Sequence, residues 1–542
     1  MSLPEALAAL SDADRAVDGF DQVMAHQAMP WFCLLVQLGA IAVDRAAGGT
    51  ADAPGPTAAA PMPARWTDPA AWAESLRALT PGHDDDAPWC LVVPDPAKPA
   101  FLQPPTPKTG LDRHRTWVET PDGIDLPVTA KNHDIKAGRR AAASPAEWLY
   151  ALTTVQTFGG FSGRGNQGVA RMNGGFGSRA VATRMPADSV TWGARFRRDL
   201  KVLLRQRTGS KPPDWDHRAG RALLWLEPWD DETTLPVRDL DPHFVEIARH
   251  LRLTAQDGGL AALFRPSETP RLAAKAYKGL LDDPWMPVAP GKDGAQALTV
   301  GPAGWTATRV AQILLNEDGY ARPEAQKALR GESPKQGSVF AFSVLVRGQG
   351  TTDGFHERRV GLPPEVVELL DGEPGIGQAI YKALAKPMLD LAGNAGQSVL
   401  LPALLMLMQG PTVERGASPG DRRAEPWLQR FDREADQAFF DTLAQEVMGV
   451  RDDIRADTRI EDLREMVKLT IWRRQLYTLA ETLFDEATRS GLTIAEDRRE
   501  RAIARARLLF DAKARAVGLR EDTSRRDQES VTIDGENEEI GS

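Results

Sequence analysis

Residues 159–179 read Gly-Gly-Phe-Ser-Gly-Arg-Gly-Asn-Gln-Gly, then Val-Ala, then Arg-Met-Asn-Gly-Gly-Phe-Gly-Ser-Arg. Backbone without Cβ atoms approaches a ligand closely, and amides with interspersed guanidinium groups suit phosphates. The run formally contains G-x-G-x-x-G at Gly163, Gly165 and Gly168. A dinucleotide site of that kind needs a strand before the glycines and a helix after them. Here a helical pattern precedes and a second glycine run follows, so a nucleotide-dependent enzyme using Gly163, Gly165 and Gly168 is the alternative reading, not the first. Gly160-Phe161-Ser162-Gly163 begins like a nucleophile elbow and fails at Arg164. The eight histidines (26, 83, 114, 133, 217, 243, 250 and 356) do not pair at ligand spacing, and no Walker motif is present. His83 before Asp84-Asp85-Asp86 reads as solvated surface. The chemistry favoured is binding, with no catalytic centre, no metal and no cofactor.

Charge supports a polyanion. The chain of 542 residues has a formal net charge of −9, yet Lys131 to Arg207 holds 14 Lys+Arg against 4 Asp+Glu. A local excess of that kind is the electrostatic footprint of a nucleic-acid surface. Cys33 and Cys90, the 2 cysteines, exclude a disulfide framework and a zinc domain. The apolar run Met29–Val43 is interrupted by Gln37 and is shorter than the roughly 20 residues of a membrane span. The reading is a cytoplasmic protein with no membrane segment.

The elements that must position these residues follow from pattern. Leu34, Leu35, Leu38, Ile41 and Ala42 recur at helical spacing. Ser144-Pro145 with Glu147 predicts a capped helix through Trp148, Leu152 and Gln156 that stops at Gly159-Gly160. Trp89–Val93 and Thr116–Val118 read as short edge strands, and Phe244–Leu253 as a helical stretch. Val339–Val346 predicts a strand buried on both sides, followed by a glycine-bearing turn over Arg347–Gly354 and a returning strand from His356 to Val360. Beyond Leu362 apolar residues recur at helical spacing nearly throughout, as an antiparallel bundle requires. The expectation is an α+β chain: a large mixed α/β N-terminal domain over 1–365, an all-α helical bundle over 366–520, and an acidic, disordered tail over 521–542.

The order of these features resembles a known family. Lys131-Asn132-His133-Asp134-Ile135-Lys136, the glycine run after Thr154-Val155-Gln156-Thr157-Phe158, Gly304-Trp305-Thr306 leading into Arg309-Val310, and Gly354-Phe355-His356-Glu357-Arg358-Arg359 ahead of a helical region are similar in succession to CasA, the large subunit of the type I-E CRISPR surveillance complex Cascade. The resemblance implies a C-terminal bundle of four-helix type. It also implies recognition of a protospacer-adjacent motif (PAM) in double-stranded DNA from the minor groove, strand separation by a wedge hairpin, and recruitment of a helicase-nuclease. The implied partners are target duplex DNA and the crRNA-containing Cascade subunits, namely the backbone, small and crRNA-end-binding subunits. The implied DNA-binding glycine loop is Gly163, Arg164, Gly165, Asn166, Gln167 and Gly168 with Asn173, Gly174 and Gly175. Asn132, His133, Asp134, Ile135 and Lys136 form the implied loop at the crRNA end and PAM. Gln349, Gly350, Thr351, Thr352 and Asp353 form the implied wedge, where the family carries an Asn-Gln-Ala-like triplet. Lys292, with Lys278 as an alternative, is the implied groove-reading lysine.

Overall fold

The computed structural model describes residues 1–48, 62–106, 111–112, 114, 116–127, 143–160, 166, 168, 171–172, 179–208, 220–230, 232–256, 258–317, 319–332, 335–348, 351–372, 375–410, 422–451, 460–490 and 496–520. The chain divides into two compact units, Met1–Trp305 with Gln312–Val367, and Thr306–Ala311 with Glu368–Ser542.

The first unit is mixed. Of helices α1 (Leu3–Ser11), α2 (Ala25–Ala46), α3 (Pro69–Arg77), α4 (Pro145–Phe158) and α5 (Trp192–Thr208), α3, α4 and α5 pack on α2, and α1 packs on α3 and α5. Phe32, Cys33, Leu34, Leu35, Val36 and Leu38 are all 0% exposed, so α2 is apolar on every side because it is the core helix. Gln37, the polar interruption, is also buried and donates to the carbonyls of His243 and Phe244. At 22 residues α2 is long and apolar enough to cross a membrane, as is Ile376–Gln409 in the second unit; the most apolar windows are 83% and 50% buried within the protein. The start of α4 follows its predicted capping box: Ser144 N–H donates to Glu147 and the Glu147 N–H to Ser144 Oγ.

Strand β1 (Thr116–Val118) precedes α4, and β2 (Val181–Pro186) precedes α5; β3 (Arg221–Leu223), β4 (Leu240–Val245), β5 (His250–Gln256), β6 (Gly259–Arg265), β7 (Val288–Gly291) and β8 (Gly294–Ala297) follow α5. After α6 (Ala307–Leu314) come β9 (Ser338–Gly348) and β10 (Thr351–Leu362). The sheets are ordered β1-β6-β5 and β10-β9-β2, with β3-β4 and β7-β8 as pairs. Central strand β9 is buried on both faces, Phe340 and Phe342 at 0% and Leu345 at 6%, as its apolar run, broken only at Ser343, predicts.

Two predicted elements are corrected. Phe244–Leu253 is not helical: it holds the end of β4 and the start of β5, where Leu251 and Leu253 point to one face and pair with Phe264 and Ala262 of β6. Trp89–Val93 is not a strand; a short 3-10 turn covers Ala87–Trp89, and the Phe101 N–H donates to the Cys90 carbonyl.

The second unit is helical. α7 (Pro364–Asp371) leads to a run in which α8 (Ile376–Ile380), α9 (Lys386–Asn394) and α10 (Leu401–Gln409) are joined by π-helical turns. α11 (Glu425–Gly449), α12 (Ile460–Met466), α13 (Thr470–Arg489) and α14 (Glu496–Ala516) complete it. α10 packs on α14 and α11 on α13, burying Phe431, Phe439, Trp472, Phe484 and Phe510.

Candidate nucleic-acid interface

The glycine segment is built on a buried clamp. Gln156, near the end of α4, accepts from the Ala248 and Arg249 N–H groups and donates to the Leu102 and Arg249 carbonyls. The side chain of Arg249, 5% exposed, then donates to the carbonyls of Gly160 and Gly168, so one guanidinium holds both ends of the first glycine run. Burial, with Arg347 adding like-charge repulsion, pushes the Arg249 pKa down to about 10. Gly168 is required by space: a Cβ there would lie 1.9 Å from the Ala248 oxygen. Asn166 forms an isolated parallel bridge with Ser267.

The second glycine run is anchored by two arginines that turn inward. Arg171 is fully buried, donates to the Phe244 and Leu281 carbonyls, and meets Glu246 at 3.5 Å. Arg179 binds Asp283 with both Nε and Nη2, at 2.6 and 2.8 Å, and reaches the same Glu246 at 3.4 Å. Burial opposes the charge on Arg179, but Asp283 and Glu246 outweigh it and hold its pKa above the ordinary arginine value. This corrects the charge argument. Of the 14 basic residues between Lys131 and Arg207, Arg171, Arg179, Arg184, Arg198 and Arg207 are buried, the last three bonded to Ser338, Glu332 and the Asp44/Asp241 pair. Their charge stabilises the interior, because a buried guanidinium needs carboxylates and carbonyls to replace water. The sequence carried no sign of it: Glu246 and Asp283 lie far downstream at no diagnostic spacing.

Strands β9 and β10 form the predicted hairpin with a tighter turn. Gly348 pairs with Thr351, so Thr351, Thr352 and Asp353 belong to β10 and not to the turn. A register shift between Thr352 and Gly354 leaves Asp353 unpaired and exposed, and Gly354 takes φ +131°. Such a bulge re-aims the side chains near a strand end. Midway along the hairpin, two separated motifs meet. Arg358 donates to the Trp305 carbonyl at 2.9 Å, Gly304 (φ +66°) sits against the His356 ring, and the Trp305 ring lies 5.2 Å from Phe342. Glu357 pairs with Arg359 at 2.7 Å.

Lys278 and Lys292 are brought to one turn. Lys292 is exposed at the tip of the β7–β8 hairpin, and Lys278 Nζ donates to the carbonyl of neighbouring Asp293 at 2.8 Å. Gly279, with φ +77°, packs on Met172: a Cβ would fall 2.4 Å from the Met172 carbonyl carbon. The lysine turn therefore rests on the root of the second glycine run, while Arg347, beside the β9–β10 turn, acts on the clamp of the first. Three features far apart in sequence converge. Among the described residues no group of His, Cys, Asp or Glu could hold a metal ion. The strand and helix that a dinucleotide loop needs are replaced by α4 before the glycines and β2 after them.

No family model and no curated protein sequence matches the chain. Among solved structures it is similar to CasA from Thermus thermophilus, with TM-score 0.52 and 16% identity over 92% of each chain. It is similar to Cse1 from Thermobifida fusca, with TM-score 0.56 and 15% identity over 96% of this chain and 95% of that one. Cse1 from Acidimicrobium ferrooxidans gives TM-score 0.53 and 12% identity over 95% and 94%. The fold is that of CasA. Correspondence with the CasA fold runs nearly end to end at very low identity, so it lies in the order and packing of elements. Of the positions that the CasA resemblance implies, Asn166, Gly168, Thr351, Thr352, Asp353, Lys278 and Lys292 are placed as above. Gly163, Arg164, Gly165, Gln167, Asn173, Gly174, Gly175, Gln349, Gly350, and the whole of Asn132, His133, Asp134, Ile135 and Lys136 lie outside the described residues.

Proposed function

We propose that this chain is the non-catalytic large subunit of a type I-E, Cascade-type RNA-guided complex. In this reading it recognises a short PAM in duplex DNA from the minor groove, begins strand separation with the β9–β10 hairpin, and recruits a helicase-nuclease. The observation that carries the reading is the convergence of the glycine-segment roots, the lysine turn and the β9–β10 hairpin within a CasA fold. Its physics is coherent. The minor groove presents a degenerate pattern, so a glycine-rich backbone with one or two lysines suffices for a permissive motif. Full discrimination passes to guide pairing, which motif binding and local melting nucleate. Unstacking a base step costs a few kcal/mol, which groove and phosphate contacts offset. Its partners are the target duplex and the crRNA-bearing backbone, small and crRNA-end-binding subunits, and it works in the cytoplasm.

The test is reconstitution. The chain, mixed with guide RNA and the other subunits of its complex, is expected to co-elute with them and to confer tight binding of a matching duplex. A chain that neither joins the complex nor changes its affinity for duplex contradicts the proposal.

A further inference from the structure

A cavity of about 600 Å³ lies in the first unit, lined by none of the residues assigned to duplex recognition. That is the size of a small-ligand site. Its wall is aromatic: Phe20 comes from the loop before α2, Trp31 from α2, Trp89 and Phe101 from the segment between α3 and β1, and Tyr150 from α4. Phe20 meets Trp31 edge to face with ring centroids 6.0 Å apart, and Trp31 meets Tyr150 in the same way at 5.5 Å. Such packing fixes the rings against one another.

Two polar features interrupt the wall. Asp21, exposed, is the only charged side chain on it, and no lysine, arginine or histidine lines the cavity. Burial, then repulsion from the Asp21 carboxylate, pushes the Tyr150 hydroxyl pKa above its ordinary value, so the carboxylate acts on this aromatic wall. Trp31 is 4% exposed, and its indole Nε1 has no hydrogen-bond acceptor among the described residues. Buried donors are ordinarily paired. Met1 also lines the cavity but is 76% exposed, so its ammonium stays in water.

We propose that this cavity binds a small organic ammonium ion that carries an oxygen acceptor. Ring faces attract a cation through their quadrupoles, and aromatic walls of this kind recognise alkylated ammonium groups. The Asp21 carboxylate supplies the opposite charge, and the Trp31 N–H donates to the oxygen. An anion finds no basic side chain on the wall, and a hydrocarbon leaves the indole N–H unpaired. The site is separate from duplex recognition and goes beyond that reading.

The test is calorimetry on the full-length chain with two probes: choline, and its neutral carbon isostere 3,3-dimethylbutan-1-ol, which keeps the shape and the hydroxyl and loses the charge. Choline is expected to bind saturably with one site per chain, and the isostere at least about tenfold more weakly. Asp21→Asn, at an exposed position, should weaken choline about fivefold or more with an unchanged melting temperature. Phe20→Leu, which keeps an apolar side chain and removes one ring face, should weaken choline and leave the isostere little affected. A Lys278→Ala, Lys292→Ala chain should bind choline as wild type does, which separates this proposal from the recognition reading. Absence of saturable choline binding overturns it. So does equal affinity for the isostere, or choline affinity unchanged in both Asp21→Asn and Phe20→Leu.

Discussion

Arg249 holds the carbonyl of Gly168 from inside the protein, and with its other terminal nitrogen holds Gly160. A single buried guanidinium therefore ties Gly160 to Gly168. Replacing Arg249 with Met strands both carbonyls, and hydrogen bonds from a charged donor contribute about 1.5–3 kcal/mol. Urea denaturation should register a loss of that order, and duplex binding by the assembled complex should weaken as well. A variant as stable as wild type would remove the clamp from the account.

Gly304 carries φ +66° with the place of its Cβ 2.3 Å from His356 Nδ1. Gly304→Ala should cost about 1–3 kcal/mol by strain and overlap. Adding His356→Ala should recover the steric part, so thermal melts of the two single variants and the double variant should give a clearly non-additive cycle. Additive losses would mean that the two motifs do not bear on one another.

How far the sequence could be read follows from the range of the signals. The capping box at Ser144 and Glu147 and the doubly buried run of β9 are local, and both appear as expected. Phe244–Leu253 misled because its apolar spacing fits a helix as well as a strand turn and restart, and only pairing with β6 decides between them. The hairpin is legible, but its turn is shorter than the sequence suggests: Thr351 to Asp353 have turn chemistry, yet the ladder continues through Thr351 and Thr352. Arg171 and Arg179 have the sequence look of phosphate ligands because their acids, Glu246 and Asp283, come from distant loops. Gln156 and Arg249 gave no signal, since a residue bonding to backbone carbonyls leaves no partner to recognise in sequence.

His114 supplies a pH test. It is 8% exposed, and burial, followed by Arg265, His250 and Arg252, pushes its imidazole pKa down to about 4. The unfolded chain takes up that proton near pH 6.5, so the unfolded state binds more protons between the two values. Stability should be complete above about pH 6.5 and decline as pH falls toward 4. His114→Gln should flatten this part of the stability–pH curve measured by denaturant titration. An unchanged slope would place the histidine outside the linkage.

Lys278→Ala with Lys292→Ala alters a turn whose side chains reach solvent. The melting temperature should stay within about a degree, the change expected of surface substitutions. Binding of target duplex by the complex should weaken, with a salt slope shallower by up to roughly two. Unchanged binding at every salt concentration would take these lysines out of the groove.

The central claim concerns opening of the duplex, and base unstacking reads it directly. A target duplex carrying 2-aminopurine beside the PAM is mixed with guide-loaded complex prepared with and without this chain. Fluorescence should rise only when the chain is present and should fall back when the β9–β10 turn is shortened. Equal opening without the chain would contradict the account.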